Sequence, residues 1–351
     1  MPWVLLLVSM GCFLACSGLT GQKIPKKYVS HKAMGPIAID GQAKEESWEK
    51  APWSDDFIDI EGDKIPTYRT RMKMLWDDSY LYFYAEMEEP HVWGTLKQRD
   101  TVIFYNNDFE IFIDPDGDTH GYMEFEMNAL NTQWDLFLTK PYRNGNIVLD
   151  SWDITGLKTA VHIDGSLNDS RDFDRGWSVE IAFPWNAITE AAKKGTVPLN
   201  EYWRINFSRV NWDFELDDKG RYSRKKDAGG TFLPEYNWVW SPQWVINMHE
   251  PEHWGYVYFT DAPFKEKPSF EISPDDKIKY VLYGAYRKLL QSKDFGATKK
   301  TLESTPLQVE GDTFSVRIEE HKRGWNLITV NPLTGNTIAI SEDGKFKTFE
   351  K

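Results

Sequence analysis

Glu124, Glu126 and Asn128 stand at every second position of one short run, and Glu110 stands between apolar neighbours in the run before it. Side chains alternate faces along a strand, so these groups share the face opposite Phe109, Ile111, Ile113, Met123, Phe125 and Met127. Three carboxylates brought together repel one another unless a cation or a donor lies among them. Arg143, Arg204 and Arg209 are candidate donors, and an acid–arginine set of this kind binds hydroxyl groups through charge-assisted hydrogen bonds. The plain alternative is a solvated outer face. The enzymatic alternative is a glycosidase-like pair, Glu110 with Glu126, which needs two acids about 5–10 Å apart. Asp114, Asp116 and Asp118 in the run DPDGD place carboxylates at alternate positions of a turn, oxygen ligands of the kind calcium prefers. Their spacing is not that of an EF-hand, and an acidic hairpin turn is the plain alternative.

The elements that must position these groups are strands. Three follow one another over residues 109–138, broken by the DPDGD turn and by a turn at Asn131-Thr132. Before them, Ile37–Asp40, Arg71–Trp76 and Tyr80–Met87 read as strands, the last two joined by the turn Asp77-Asp78-Ser79. After them come Thr159–Ile163, Trp177–Phe183, Trp203–Val210 and Trp254–Phe259, with a helix expected over 186–194 and a long polar excursion over 211–236. This pattern specifies an all-β fold, an antiparallel β-sandwich spanning residues 35–262. A Pro/Lys linker at 263–268 separates it from a small α+β appendage. There Ser273 caps and Pro274 opens a helix over Asp275–Ser292, and short strands follow around Phe314–Ile318, Trp325–Val330 and Thr337–Ile340.

Composition narrows the function classes. A net charge of −13 argues against nucleic acid, whose phosphates need lysine and arginine. Aromatic residues make up 15% of the chain, with 16 Trp and 16 Tyr, more than packing usually requires, and such rings suit surfaces where an apolar face meets a wet partner. Both cysteines, Cys12 and Cys16, precede the folded body, so no disulfide framework is expected in it. The apolar run Val4–Ala15 fits a secretory signal rather than a membrane span. Phe13–Gly18 resembles a bacterial lipoprotein cleavage box, which implies a signal peptide over 1–16, lipidation of Cys16, a tether over 17–34, and export to the cell surface or periplasm. The histidines show no metal-binding spacing, and no nucleophile-elbow or phosphate-loop motif is present.

Ile39-Asp40-Gly41 with Trp48 and Ala51, Leu75–Tyr82, Asn107–Asp114, Gly121-Tyr122 with Phe125–Asn128, and Trp254-Gly255 occur in that order. In this order they resemble the family 9 carbohydrate-binding modules, over roughly residues 35–260. The resemblance implies a non-catalytic β-sandwich that grips sugars between two tryptophans and holds calcium. By position the first tryptophan falls at Phe104, beside Tyr105. The second falls near Met248, with Trp244 close and His249 adjacent, and the family's sugar-binding arginine falls at Glu126. Trp93, Tyr105 and Trp244 are therefore the rings expected to replace the platform, with Phe104, Glu110, Glu126, Asn128, Arg143, Arg209 and His249 around the ligand. Asp114, Asp116 and Asp118 are the expected calcium ligands, and a polysaccharide held near separate hydrolases is the expected partner. A surface protein whose rings are all core is the remaining alternative.

Overall fold

The computed structural model describes residues 23–145 and 147–351; Cys12, Cys16 and the signal-like segment lie outside the described residues. Apolar alternation lays down the main strands in chain order: β1 (Lys27–Lys32), β2 (Thr70–Trp76), β3 (Tyr80–Glu88), β4 (Asp108–Asp114), β5 (Tyr122–Asn128) and β6 (Gln133–Leu138). They continue as β7 (Lys158–Asp164), β8 (Gly176–Pro184), β9 (Tyr202–Asn211), β10 (Tyr236–Val239) and β11 (Gly255–Thr260). With two short strands these form one 13-stranded sheet. Its order runs from Val148–Leu149 through β6, β5, β4, β9, β11, β1, β2, β3 and β8 to β7, while β10 pairs with β9 and with Ile58–Asp59.

The sheet curls until its two halves face each other across a single core. Met72, Met74, Phe83, Val179 and Ile181 on one half are buried with Phe109, Ile111, Phe125, Phe207 and Val257 on the other. Phe125 meets Phe183 edge-on at 5.2 Å, and Phe83 meets Phe207 at 5.8 Å, so the aromatic layer bridges the halves. The fold is thus the expected all-β sandwich with one amendment. β1 runs parallel to both β11 and β2 and stitches the halves together, whereas the other main-sheet ladders are antiparallel. Residues 27–32 therefore belong to the sheet and not to a tether. Their lysine ends and short apolar content hide a strand that gains its stability from two neighbours rather than from its own propensity.

Two local expectations also shift. The helix expected over 186–194 is only α2 (Trp185–Ile188), and residues 189–194 continue as turns. Ile37–Asp40, expected as a strand, forms none, and the chain goes on into α1 (Glu46–Lys50), pinned because the buried Trp48 indole donates to Glu180 Oε1 at 2.7 Å. The C-terminal unit has its own core, built from Ile278, Leu282 and Tyr286 of α3 (Pro274–Leu290) against Leu327, Ile338 and Ile340. Ser273 caps α3 through the Asp276 amide at 3.1 Å, as its sequence signature implies. A second helix, α4 (Phe295–Ser304), and a four-stranded antiparallel sheet complete it: β12 (Val316–His321), β13 (Gly324–Val330), β14 (Thr337–Ser341) and β15 (Phe346–Phe349).

The Trp254-Gly255 pair has a steric cause. A Cβ on Gly255 would come within 2.1 Å of Cζ3 of the buried Trp240 ring, so the strand can approach that ring only without a side chain. Gly255→Ala should lower stability by about 1–3 kcal/mol, the usual cost of overpacking, seen as an earlier urea midpoint with an unchanged denaturant slope.

Candidate functional site

β4 and β5 place one set of alternating side chains in the sandwich core and the other set on the outer face, as their sequence implies. That outer face is not open to solvent: every residue of both strands is buried. At one end it carries its own apolar cluster of Phe112, Tyr122, Leu136, Val239, Met248 and Trp254. In the middle lie the carboxylates. Glu126 sits directly across the ladder from Glu110, and Glu124 from Phe112, while Trp134 on β6 is the cross-strand neighbour of Glu126.

A pocket of about 330 Å³ opens over these acids, at the small end of the range for ligand sites. Glu110, Glu124 and Glu126 line it with Phe104, Trp134 and Tyr142, and the segment Ile246–His249 supplies a further wall. Among the described residues, no lysine or arginine lines it. Burial, reinforced by the neighbouring acids, pushes the Asp108, Glu124 and Glu126 carboxyls well above the usual carboxylate range, and burial pushes Glu110 up to about 7. The one basic side chain at the wall, His249, is held neutral because burial lowers it to about 3. Its Nδ1 meets the Tyr122 hydroxyl at 2.8 Å, its Nε2 lies 3.9 Å from Glu124, and the Tyr142 ring packs edge-on against it at 4.3 Å. The site therefore offers hydrogen-bond acceptors and flat rings without a compensating positive charge.

Of the residues singled out from the sequence, the pocket brings together Phe104, Glu110, Glu124, Glu126 and His249. The others are engaged elsewhere. Trp93 is 1% exposed and stacks parallel on Tyr222 at 6.2 Å, so its faces are sealed inside a satellite core. Tyr105 is 45% exposed and touches Phe104, but Arg224 lies over its ring at 4.3 Å. Trp244 packs edge-on to His253 at 5.3 Å, outside the pocket lining. Asn128 closes the turn after β5, accepting from the Leu130 and Thr132 amides at 3.0 and 3.1 Å.

The arginines are likewise committed. Arg209 is fully buried, donating to Thr70 Oγ1 at 3.1 Å and the Glu88 carbonyl at 2.9 Å and pairing with Glu89 at 3.4 Å. Arg204 donates to the carbonyls of Trp254 and Glu252. Arg143 pairs with Glu250 and Glu252, which also bind Arg287 of α3. In the DPDGD turn, Asp114 accepts from the Gly117 and Thr119 amides at 2.9 Å each. Lys345 pairs with Asp118 at 2.8 Å, and Lys279 donates to the Gly117 carbonyl at 2.6 Å, so this turn is where the C-terminal unit docks. Trp134 and Tyr142 were not singled out. Cross-strand register with Glu126 points to Trp134, whereas Tyr142 reaches the pocket from a loop that carries no such signal.

A carboxyl whose folded pKa lies above its unfolded value stabilises the fold below that unfolded value, and the contribution is lost as pH rises through the folded one. Glu110 moves from 4.5 to about 7. Relative to Glu110→Gln, the wild type should lose up to about 3 kcal/mol as pH rises from about 4.5 to about 8. Denaturation curves of both proteins in EDTA check this, and taking the difference cancels the opposite trend of the neutral buried His249 and His253.

Residues 39–213 match the family described as carbohydrate family 9 binding domain-like. Over 117 residues the chain is 28% identical to exoglucanase XynX of Acetivibrio thermocellus, a stretch that covers 33% of this chain and only 9% of that protein. Among solved structures, a Bacteroides uniformis protein to which carbohydrate binding has been provisionally ascribed aligns with 67% of this chain and 99% of its own, at 14% identity and a TM-score of 0.50. Family 9 carbohydrate-binding modules of Caldicellulosiruptor kristjanssonii were solved with cellotriose and with glucose. The first aligns with 71% of this chain and all of its own, at 16% identity and a TM-score of 0.44. The second aligns with 69% and all of its own, at 17% and 0.43. Residues 39–213, just under half of this chain, thus form a domain of the carbohydrate family 9 binding domain-like family.

Proposed function

We propose that the pocket between β4, β5 and the Ile246–His249 segment binds the end or a short stretch of a polysaccharide chain without cutting it. The observation that carries this reading is the meeting of rings and carboxylates in one small cavity. Phe104, Trp134 and Tyr142 present apolar faces, and Glu110, Glu124 and Glu126 present acceptors. Pyranose rings offer C–H groups to the former and hydroxyl donors to the latter. The family match and the likeness to part of an exoglucanase support a glucose-based polymer as the first ligand to test.

Around this activity we place an exported protein, lipidated at Cys16, that keeps glycan near the cell for separate hydrolases. Such a module acts by raising local concentration. The lipoprotein-like Phe13–Gly18 sequence supports that placement.

Titration calorimetry with cello-oligosaccharides should show saturable binding. Phe104→Ala and Trp134→Ala should each weaken it at least tenfold, about 1.4 kcal/mol. Phe173→Ala, at an 81% exposed ring outside the pocket lining, should leave it unchanged. Flat titrations across a broad panel of neutral glycans would sink the proposal, as would equal losses in all three variants.

A further inference from the structure

Asp108, Glu110 and Glu126 are all buried, and each brings a carboxylate oxygen within 4.8 Å of the other two. Strand geometry sets this up: Asp108 and Glu110 are two residues apart on β4, and Glu126 on β5 stands opposite Glu110. Glu110 and Glu126 line the pocket, while Asp108 lies beneath its floor with no exposed surface. Backbone amides satisfy only part of the set. Val210 donates to Asp108 Oδ1 at 3.3 Å and Phe104 to Glu126 Oε2 at 3.0 Å, leaving Asp108 Oδ2 buried with no hydrogen-bond partner.

A second observation comes from outside the trio. Glu124, on the same face and 5% exposed, has its Oε2 buried without a hydrogen-bond partner. Among the described residues no neighbouring cation compensates, because the pocket lining has no lysine or arginine and the Arg209 guanidinium is spent on Glu89, Thr70 and Glu88. Elsewhere the chain handles buried acids differently: Glu250 and Glu252 are each gripped by Arg143 and Arg287.

We propose that Asp108, Glu110 and Glu126 hold one divalent cation of the calcium class at the floor of the pocket, with the free oxygen of Glu124 on the same side. An all-oxygen, all-carboxylate donor set selects a hard cation over zinc or copper. The depth of Asp108 favours a bare ion over the protonated amine of a bound ligand, which would have to pass the floor to reach it. The site is distinct from the DPDGD turn, whose positive partners are Lys345 and Lys279, and it stands whether or not the pocket binds sugar.

The test uses the full chain, stripped with EDTA and dialysed, then titrated with Ca²⁺ by calorimetry. Tb³⁺ serves as a second probe, because Trp134, cross-strand from Glu126, can sensitise its emission. Calcium should raise the melting temperature of the wild type. Its binding, together with terbium emission, should weaken at least tenfold in Glu126→Gln and in Asp108→Asn but not in Asp116→Asn. In EDTA, Glu126→Gln should melt at or above the wild type, since one of the crowded buried acids is gone; this separates loss of the ion from loss of the fold. No calcium response at millimolar Ca²⁺, or an undiminished response in both Glu126→Gln and Asp108→Asn, overturns the proposal.

Discussion

Burying ionisable oxygen without a counter-charge is the constraint from which the rest of this molecule can be read. Moving a carboxylate from water into protein costs several kcal/mol even after relaxation, and a second acid beside it raises the cost. β4 and β5 nevertheless carry Asp108, Glu110, Glu124 and Glu126 on one sealed face. Part of the relief is visible in the raised pKa values, which mean that protons are retained there at pH values where exposed acids have lost them. The remaining demand for donors falls on whatever enters the pocket. A hydroxylated ring and a hard cation would both answer it, from different levels of the same cavity.

The rest of the fold shows that this imbalance is local. Glu89 is buried too, but it receives the Trp177 indole at 2.7 Å, the Asn107 amide and the Arg209 guanidinium. Burial works against the charge on Glu252, yet Arg143 and Arg287 hold its pKa down to about 2. Both arrangements satisfy most of the polar atoms they seal, which is how proteins ordinarily keep buried charge. Such partners are provided for Glu89 and Glu252, and also for Glu180 and Asp276, so the acids of β4 and β5 stand apart from other buried acids of the fold.

Much of this was legible in the residue order. A period of two assigned Glu110, Glu124 and Glu126 to one face, and Ser273 with Pro274 marked the start of α3. What alternation does not encode is what covers a face. The loops carrying Phe104, Tyr142 and Ile246–His249 fold over β4 and β5, converting an apparent solvated surface into a cavity. Ring identity was a poor guide for the same reason. Trp93 and Trp244 are as aromatic as Trp134, but only register with Glu126 distinguishes the ring that reaches the pocket. The arginines misled because a guanidinium suits a buried structural pair as well as a ligand, and Arg143 and Arg209 serve the former. The DPDGD turn, read alone, suits a cation, and its lysine partners come from some 160 and 230 residues further along the chain.

The parallel seam at β1 carries a kinetic consequence. Lys27 pairs with Tyr256, so the first described strand waits for a partner about 230 residues downstream before the two halves can close. Closing so long a loop is entropically slow, and folds rich in distant pairings nucleate late. The seam with β11 thus forms only after residues 256–260 are made, and until then β1 has only the end of β2 to pair with, at His31 and Lys32.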